Sequence, residues 1–566
     1  MFWIPYIRSQ GPRFIAGCSP DPAYDQGFFG SETALWTVTY PLPTAYAWAV
    51  VDYLNQLPAG ARLGKWLLTH RVRSLLREFG LPPKTRLAKV SAFGSEVNFA
   101  PPPIETKLIE GRVLTLRELA EAIFGRGCPI PPGFECGLQQ AILSNRIHVR
   151  PGIRVAAGRR PSCNRCGGRR ITTAPCAHCG SADCLVCEDC ASIGLIRGCT
   201  PLFSNPVRGR ATVVASSGLD TPLDLTDGQE ALVCELLKLI PPGGEDCLVD
   251  SVCGSGKGYM LLELLRRLLK PYSGQKILVS TPRRSVIDEW GERFGQVLGE
   301  HNLSILGAGR HEFRPAAAVT LATLPQLYRF TQVFDLAIID EADAFPLGRD
   351  WMYWGVIKRV LTENPRLVLF TATPQALPEF CHRFRRLSLP VRFHGKPLPE
   401  PIIQVSRSRE RSLEITGHLV KRWRENPEMR VYIFVPTKMI GKEVFSYLTK
   451  NGYCGNGCNL LYAGLAEFQQ KLEQFRSGDA PIAIATTVLE RGLTVSPCSV
   501  LVFWADHPNF QESSLVQMAG RCGRSVRSPN GEVIFLCRSD TAAVPVEALG
   551  QIRQANAEAE RKGFLL

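Results

Sequence analysis

The sequence predicts an α/β chain of two tandem parallel-sheet lobes, preceded by a small cysteine-rich module and an N-terminal α+β region. Three observations carry this. From Thr226 onward, short apolar runs ending in small or acidic residues alternate with amphipathic helical stretches, as strands buried on both faces of a parallel sheet require. A proline-rich break at 394–401 (HGKPLPEP) divides that alternation in two. Upstream, eight of the 20 cysteines fall between Cys163 and Cys199. The expected boundaries are therefore 1–155, 156–202 for the cysteine module, 203–390 for the first lobe and 391–566 for the second.

At 566 residues, three or more domains are expected. Hydrophobic residues at 45% and charged residues at 21% are those of ordinary globular protein. A net charge of +14 favours a polyanionic partner over acidic-surface chemistry on metabolites. No apolar run is long enough to span a bilayer, and the stretch Ala45–Leu54 is short and carries Asp52. The opening, Met1–Arg8, lacks a basic segment followed by a sustained apolar core, so the chain is expected in the cytoplasm.

The N-terminal region shows no catalytic signature. Thr44–Gln56 and Gly64–Glu78 carry apolar residues at helical spacing, the latter through Trp66, Leu67, Leu68, Val72, Leu75 and Leu76. Leu114–Phe124 and Phe134–Leu143 read as helices and Arg146–Val149 as a short strand, an order compatible with a winged-helix module or with generic α+β packing.

The cysteines run Cys163-x2-Cys166, Cys176-x2-Cys179, Cys184-x2-Cys187-x2-Cys190 and Cys199. Each such turn presents two thiolates to one tetrahedral ion, and four thiolates close a structural Zn²⁺ site. One assignment gives the first four cysteines to one ion and the last four to a second. An interleaved pairing fits equally, as does one ion with spare cysteines. Crowding of the pairs in a long chain argues against a disulfide scaffold or a redox pair.

In the first lobe, Cys247–Gly258 is a strand running into a Gly-rich turn. Backbone amides of Gly254, Ser255 and Gly256 suit the phosphates of ATP, and the Lys257 ammonium suits the β/γ oxygens. Gly258 stands where a magnesium-binding Ser or Thr is usual, and Ser251 replaces the motif's first glycine. Asp340-Glu341 ends another apolar strand, placing Asp340 to hold Mg²⁺ and Glu341 to orient the attacking water. Gln229, one helix ahead, is a candidate adenine contact, although Thr226 or Asp227 there could equally be a plain helix N-cap. Thr371-Ala372-Thr373-Pro374 suits an element linking hydrolysis to lobe movement.

In the second lobe, the run Gln517 to Arg524 carries two arginines spaced to reach a γ-phosphate. Arg524 is the expected finger, Arg521 its support, and Gln517 a further nucleotide contact. Strand-gripping candidates are Thr281, Pro282, Arg283, Arg284, Thr323, Thr437, Thr486, Thr487 and Arg491.

In this order the motifs resemble superfamily 2 helicases of the DEAD/DEAH type and, within them, the bacterial late competence ComFA family. The residues carrying the resemblance are the cysteine module and the segments 281–284 (TPRR), 340–346 (DEADAFP), 392–399 (RFHGKPLP), 486–494 (TTVLERGLT) and 517–525 (QMAGRCGRS). Cysteines lying wholly before the phosphate loop favour this family over the PriA-like restart helicases. The resemblance implies two RecA-like lobes and an ATP-driven single-stranded-DNA translocase. It also implies action at the cytoplasmic face of the membrane, with ComFC and the ComEC channel machinery as partners. Two alternatives remain: a restart or repair helicase, and a zinc-dependent DNA-binding scaffold whose nucleotide site has decayed at Gly258.

Overall fold

The computed structural model describes residues 4–565, apart from 11–12, 20–21, 30–33, 39–41, 43, 58–64, 80, 82–86, 91–103, 132–133, 206–208, 242–243, 271–273, 308, 349–350, 455–456, 491–494, 527, 529–530 and 540. The chain opens with a four-stranded antiparallel sheet in the order Arg13–Ser19, Ile4–Gln10, Leu35–Val38, Leu87–Lys89. Helices Thr44–Asn55 and Lys65–Glu78 pack on it. The second buries Leu68, Val72, Leu75 and Leu76, spaced to form one stripe.

A second small sheet pairs Pro201–Ser204 with both Val113–Thr115 and His148–Pro151. Thr115 ends its strand and caps helix Leu116–Phe124 through a reciprocal bond with Glu118, so that helix begins later than the apolar pattern suggests. This pairing corrects the expected boundary at residue 155. Strand Pro201–Ser204 belongs with residues far upstream, and the cysteines lie on an excursion between 151 and 201. That excursion holds a hairpin, Ile153–Ala156 with Arg159–Cys163, and a three-stranded ribbon. Ile7, Val50, Leu75, Leu119, Phe134 and Phe203 share one apolar cluster, which makes the two sheets a single body.

The first lobe is an eight-stranded sheet. Its order is Arg310–Glu312, Leu303–Gly307, Val319–Thr323, Ile277–Thr281, Phe334–Ile339, Leu361–Thr371, Cys247–Ser251, Arg385–Leu389. All neighbours are parallel except the edge pair. The second lobe has six parallel strands in the order Ile402–Val405, Val533–Cys537, Cys498–Phe503, Arg430–Phe434, Ile482–Ala485, Cys458–Leu461. These are RecA-like lobes, the first sheet's last strand ending at Leu389 and the second sheet's first strand beginning at Ile402.

The last helix, Ala543–Arg561, joins the lobes a second time. Its Ala548 and Ile552 enter the second lobe's core, whereas Ala559, Phe564 and Leu565 enter the first lobe's. Gln551 Nε2 donates to the Ala372 carbonyl at 2.9 Å. Among the described residues no helix is long and apolar enough to cross a membrane.

Candidate active site

The phosphate loop sits at the carboxyl end of strand Cys247–Ser251, where open parallel sheets bind ligands. Gly254 (φ 85°) and Gly256 (φ 76°) take left-handed conformations that turn the loop into helix Lys257–Leu269. Lys257 Nζ lies 3.7 Å from Asp340 Oδ1. Burial opposes the ammonium, yet Asp340, Cys253, Glu341 and Asp343 hold its pKa above the ordinary value. Burial likewise pushes Asp340 up to about 6, with Lys257 drawing it back down. Asp340 Oδ1 and the Ser255 hydroxyl are buried with no hydrogen-bond partner. A buried carboxylate oxygen without a hydrogen bond, 3.7 Å from the lysine that follows the Gly-rich turn, is a donor set that fits Mg²⁺ with a triphosphate.

Gly258 has a neighbour that explains its size. A Cβ there would lie 2.9 Å from Trp290 Nε1, so the indole occupies the space a threonine side chain needs. Gln229 completes a capping box with Thr226, and its Nε2 donates to the Ser255 carbonyl at 2.7 Å. Its amide is thus bonded to the phosphate loop. A glutamine three residues after a capping threonine was the signal for the first of these bonds.

The second lobe closes directly on this loop. Gln517 Oε1 accepts from Cys253 Sγ at 2.8 Å, and a Cβ on Gly520 would meet Cys253 Cβ at 2.7 Å. Arg521 is buried and donates to the Glu490 carbonyl at 3.0 and 2.7 Å. Burial and the neighbouring Arg524 bring its pKa down to about 9. Arg524 Nε donates to Gly520 O at 2.7 Å.

Sequence reasoning assigned no role to Arg392, in the segment between the lobes. It is 1% exposed and its guanidinium donates to the Cys522 carbonyl at 2.6 Å and to those of Gly523 and Gly520. His394 Nε2 lies 2.9 Å from the Gly523 carbonyl, and Phe393 N–H donates to Gly254 O at 3.1 Å. This segment therefore ties the turn bearing both arginines to the phosphate loop. No local motif announces an arginine whose partners are carbonyls some 130 residues away.

The strand-gripping candidates spread along the carboxyl ends of both sheets. Thr281 and Thr323 end their strands and are buried, Arg284 and Thr487 are exposed, and Pro282 and Thr486 are half-buried. Thr437 caps helix Lys438–Lys450 by accepting from Ile440 N–H. Arg491 lies outside the described residues. Arg283 Nε donates to Glu341 Oε2 at 3.3 Å, which joins a strand-gripping candidate to the carboxylate expected to orient water. Asp343 accepts from the hydroxyls of Thr371 and Thr373, both at 2.9 Å, linking this carboxylate segment to the next strand's exit.

The eight cysteines form two groups, Cys163, Cys166, Cys187, Cys190 and Cys176, Cys179, Cys184, Cys199, each with all sulfurs within 4.8 Å of one another. This is the interleaved arrangement, one of those the spacing leaves open. Strand Cys184–Cys187 carries one ligand of each group at its two ends, so the groups share a backbone. Sulfurs bound at 2.3 Å around a tetrahedral ion lie about 3.8 Å apart. Here Cys163–Cys190 is 3.8 Å, Cys166–Cys187 3.5 Å, Cys176–Cys199 3.7 Å and Cys184–Cys199 3.8 Å. Backbone N–H groups of Arg165 and Gly168 donate to Cys163 and Cys166 sulfurs, as thiolate ligands favour. Both groups fit Zn²⁺.

Two RecA-like lobes that meet at the Gly-rich loop define an ATP-dependent helicase. Comparison with known proteins agrees. Residues 222–376 match the family model "Type III restriction enzyme, res subunit", residues 412–526 "Helicase conserved C-terminal domain", and residues 106–204 "Competence protein ComFA N-terminal domain". The chain is 30% identical to Competence protein ComFA of Bacillus subtilis over 70% of its length and 86% of that protein's. It is 29% identical to Competence protein ComFA of Streptococcus pneumoniae over 66% of its length and 86% of that protein's. The chain belongs to the ComFA family of ATP-dependent helicases. Among solved structures, S. cerevisiae Dbp5 bound to RNA and ADP BeF3 is 17% identical with a TM-score of 0.45, covering 61% of this chain and 93% of that one.

Proposed function

We propose that this chain moves along single-stranded DNA at the expense of ATP and serves the import of transforming DNA at the cytoplasmic face of the membrane, with ComFC and the ComEC channel machinery as partners. The competence named in its relatives supports the setting, and the +14 charge supports the polyanion. The two cysteine groups would each hold one Zn²⁺ as a structural cross-link.

In this reading the amides of Gly254 to Gly256 and Lys257 bind the β/γ-phosphates. Asp340 would hold Mg²⁺, which when bound would supply charge neutralisation on the phosphate oxygens. Glu341 orients the attacking water and takes its proton. Arg524, supported by Arg521, neutralises charge on the transferred phosphoryl group, and Arg392 keeps their turn in place.

The observation that carries strand dependence is the Arg283–Glu341 ion pair. Arg283 engages the carboxylate that must orient water. A DNA phosphate competes for the same guanidinium and releases Glu341. Arg283→Gln is therefore expected to raise DNA-free hydrolysis while flattening its stimulation by DNA. Lys257→Ala, Glu341→Gln and Arg524→Ala should each abolish stimulated turnover, the last by about a thousandfold. Steady-state hydrolysis with and without single-stranded DNA checks this, and an Arg283→Gln variant that lowers both rates in parallel would sink the release step.

A second reading, a nucleotide-binding scaffold, is favoured by the indole packed over Gly258. No turnover in the native chain, with turnover gained in Gly258→Thr combined with Trp290→Phe, would select it.

A further inference from the structure

Phe345 is the most exposed of the large apolar side chains among the described residues, at 80%. Its place in the chain makes that exposure specific. It follows Asp340–Asp343 by two residues, on a turn held firmly from below. Ala344 N–H donates to Glu341 O at 2.9 Å, Gly348 N–H to Ala344 O at 3.2 Å, and Trp354 Nε1 to Leu347 O at 3.0 Å. Ala344 and Leu347 on either side are buried. The backbone is thus anchored in the lobe while one aromatic ring stands in solvent.

The ring stands at a cavity of about 650 Å³ between the lobes, which Thr373 lines from the first lobe and Thr487 from the second. The cavity's charge decides what enters it. Asp343, Glu490 and Glu512 line it, and its described lining contains no lysine or arginine. A phosphate is repelled there, whereas an uncharged, flat group finds an aromatic face and the side-chain amides of Asn509 and Gln511. A nucleobase has that chemistry.

We propose that Phe345 stacks on a base of the single strand held across the cleft, with the backbone phosphates on the segments of Arg283, Arg284, Thr323 and Thr437, which do not line the cavity. This rests on the strand-motor reading above and adds to it a contact with the bases. Asp343, two residues away, already holds the hydroxyls of Thr371 and Thr373, so a base pressing on the ring acts on the segment that carries Glu341.

The test uses the full chain and a single-stranded oligonucleotide carrying one 2-aminopurine, beside the same strand made abasic. Native protein should quench the 2-aminopurine and prefer the base-bearing strand. Phe345→Ala should lose the quench and weaken binding of the base-bearing strand about tenfold, without weakening the abasic one. Phe345→Trp should restore both signals. A Phe345→Ala variant that quenches like the native chain and keeps its preference overturns the stacking contact and leaves the motor reading intact. Failure of the native chain to bind either strand overturns both. Loss of a protein partner in Phe345→Ala, with the strand signals unchanged, would assign the ring to protein docking and so overturn the proposal.

Discussion

The two cysteine groups share a strand, a ligand type and a geometry, yet they stand in different surroundings. Cys163, Cys166, Cys187 and Cys190 belong to the same apolar cluster as Tyr328, Phe330 and Trp354 of the first lobe. Among the described residues, Cys176, Cys184 and Cys199 form a separate cluster with half-buried Cys179. The inner group is therefore a corner of the motor's own core, and the outer one fastens the tip of a ribbon. Identical chemistry gives different roles because stability is shared only through packed contact.

The largest effect should separate the two groups outright. Cys187→Ser removes a ligand from a site where a structural Zn²⁺ would contribute about 10 kcal/mol to folding, and it opens the first lobe's core. Cys184→Ser should take one ion per chain while the lobe melts almost as before. Metal content by mass spectrometry together with thermal unfolding checks both, and equal losses would erase the distinction.

Next comes Glu118, which ties the inner group's neighbourhood to the lobe. Its carboxylate accepts from Arg165 at 2.7 Å and Arg329 at 2.8 Å, as well as from Thr115 N–H. Burial works against the charge, but the two guanidinium groups and the backbone bond hold its pKa down to about 2. Glu118→Gln leaves both arginines without their anion, at a cost of about 3–5 kcal/mol. Because the folded pKa lies below the ordinary value near about 4.3, this contribution is complete above that value and is lost as pH falls towards 2. The difference in unfolding temperature between native and variant should accordingly be wide at neutral pH and narrow in acid. Zinc bound by the outer group at neutral pH should be unchanged.

The smallest effect is a control one residue away. Arg117 pairs with Glu121 on the exposed side of the same helix, with Arg117 87% exposed. Arg117→Ala should cost about 0.3 kcal/mol at most, in the same unfolding measurement. A larger loss would mean that the helix couples to the lobe by more than its buried face.

Features built from neighbouring residues were legible in the sequence. The phosphate loop, Asp340–Glu341 and the cysteine turns are each set by a few consecutive positions, and the apolar runs located the strands of both lobes. What escaped was distant pairing. A Cys-x2-Cys spacing puts both sulfurs in one group for Cys163/Cys166, Cys176/Cys179 and Cys187/Cys190, but Cys184 and Cys187 divide between the groups, because they end one strand and the outcome depends on how that strand lies between its neighbours. The module boundary was misplaced for the same reason, since Val113–Thr115 meets Pro201–Ser204 only across the excursion. Arg392 shows no sign of its carbonyl partners in its own surroundings, and the room beside Gly258 is decided by Trp290 on the next helix.

The helix Ala543–Arg561 gives the cleft a second attachment. The chain already crosses between the lobes at 391–401, where Leu398 exchanges two hydrogen bonds with Asn556 of this helix, at 2.8 and 3.0 Å. Two bodies joined at one point can tumble freely, but bodies joined along a line can only swing about it. The chain thus builds its own axle. Opening of the cleft is then expected to be widest at the edge away from these two connections.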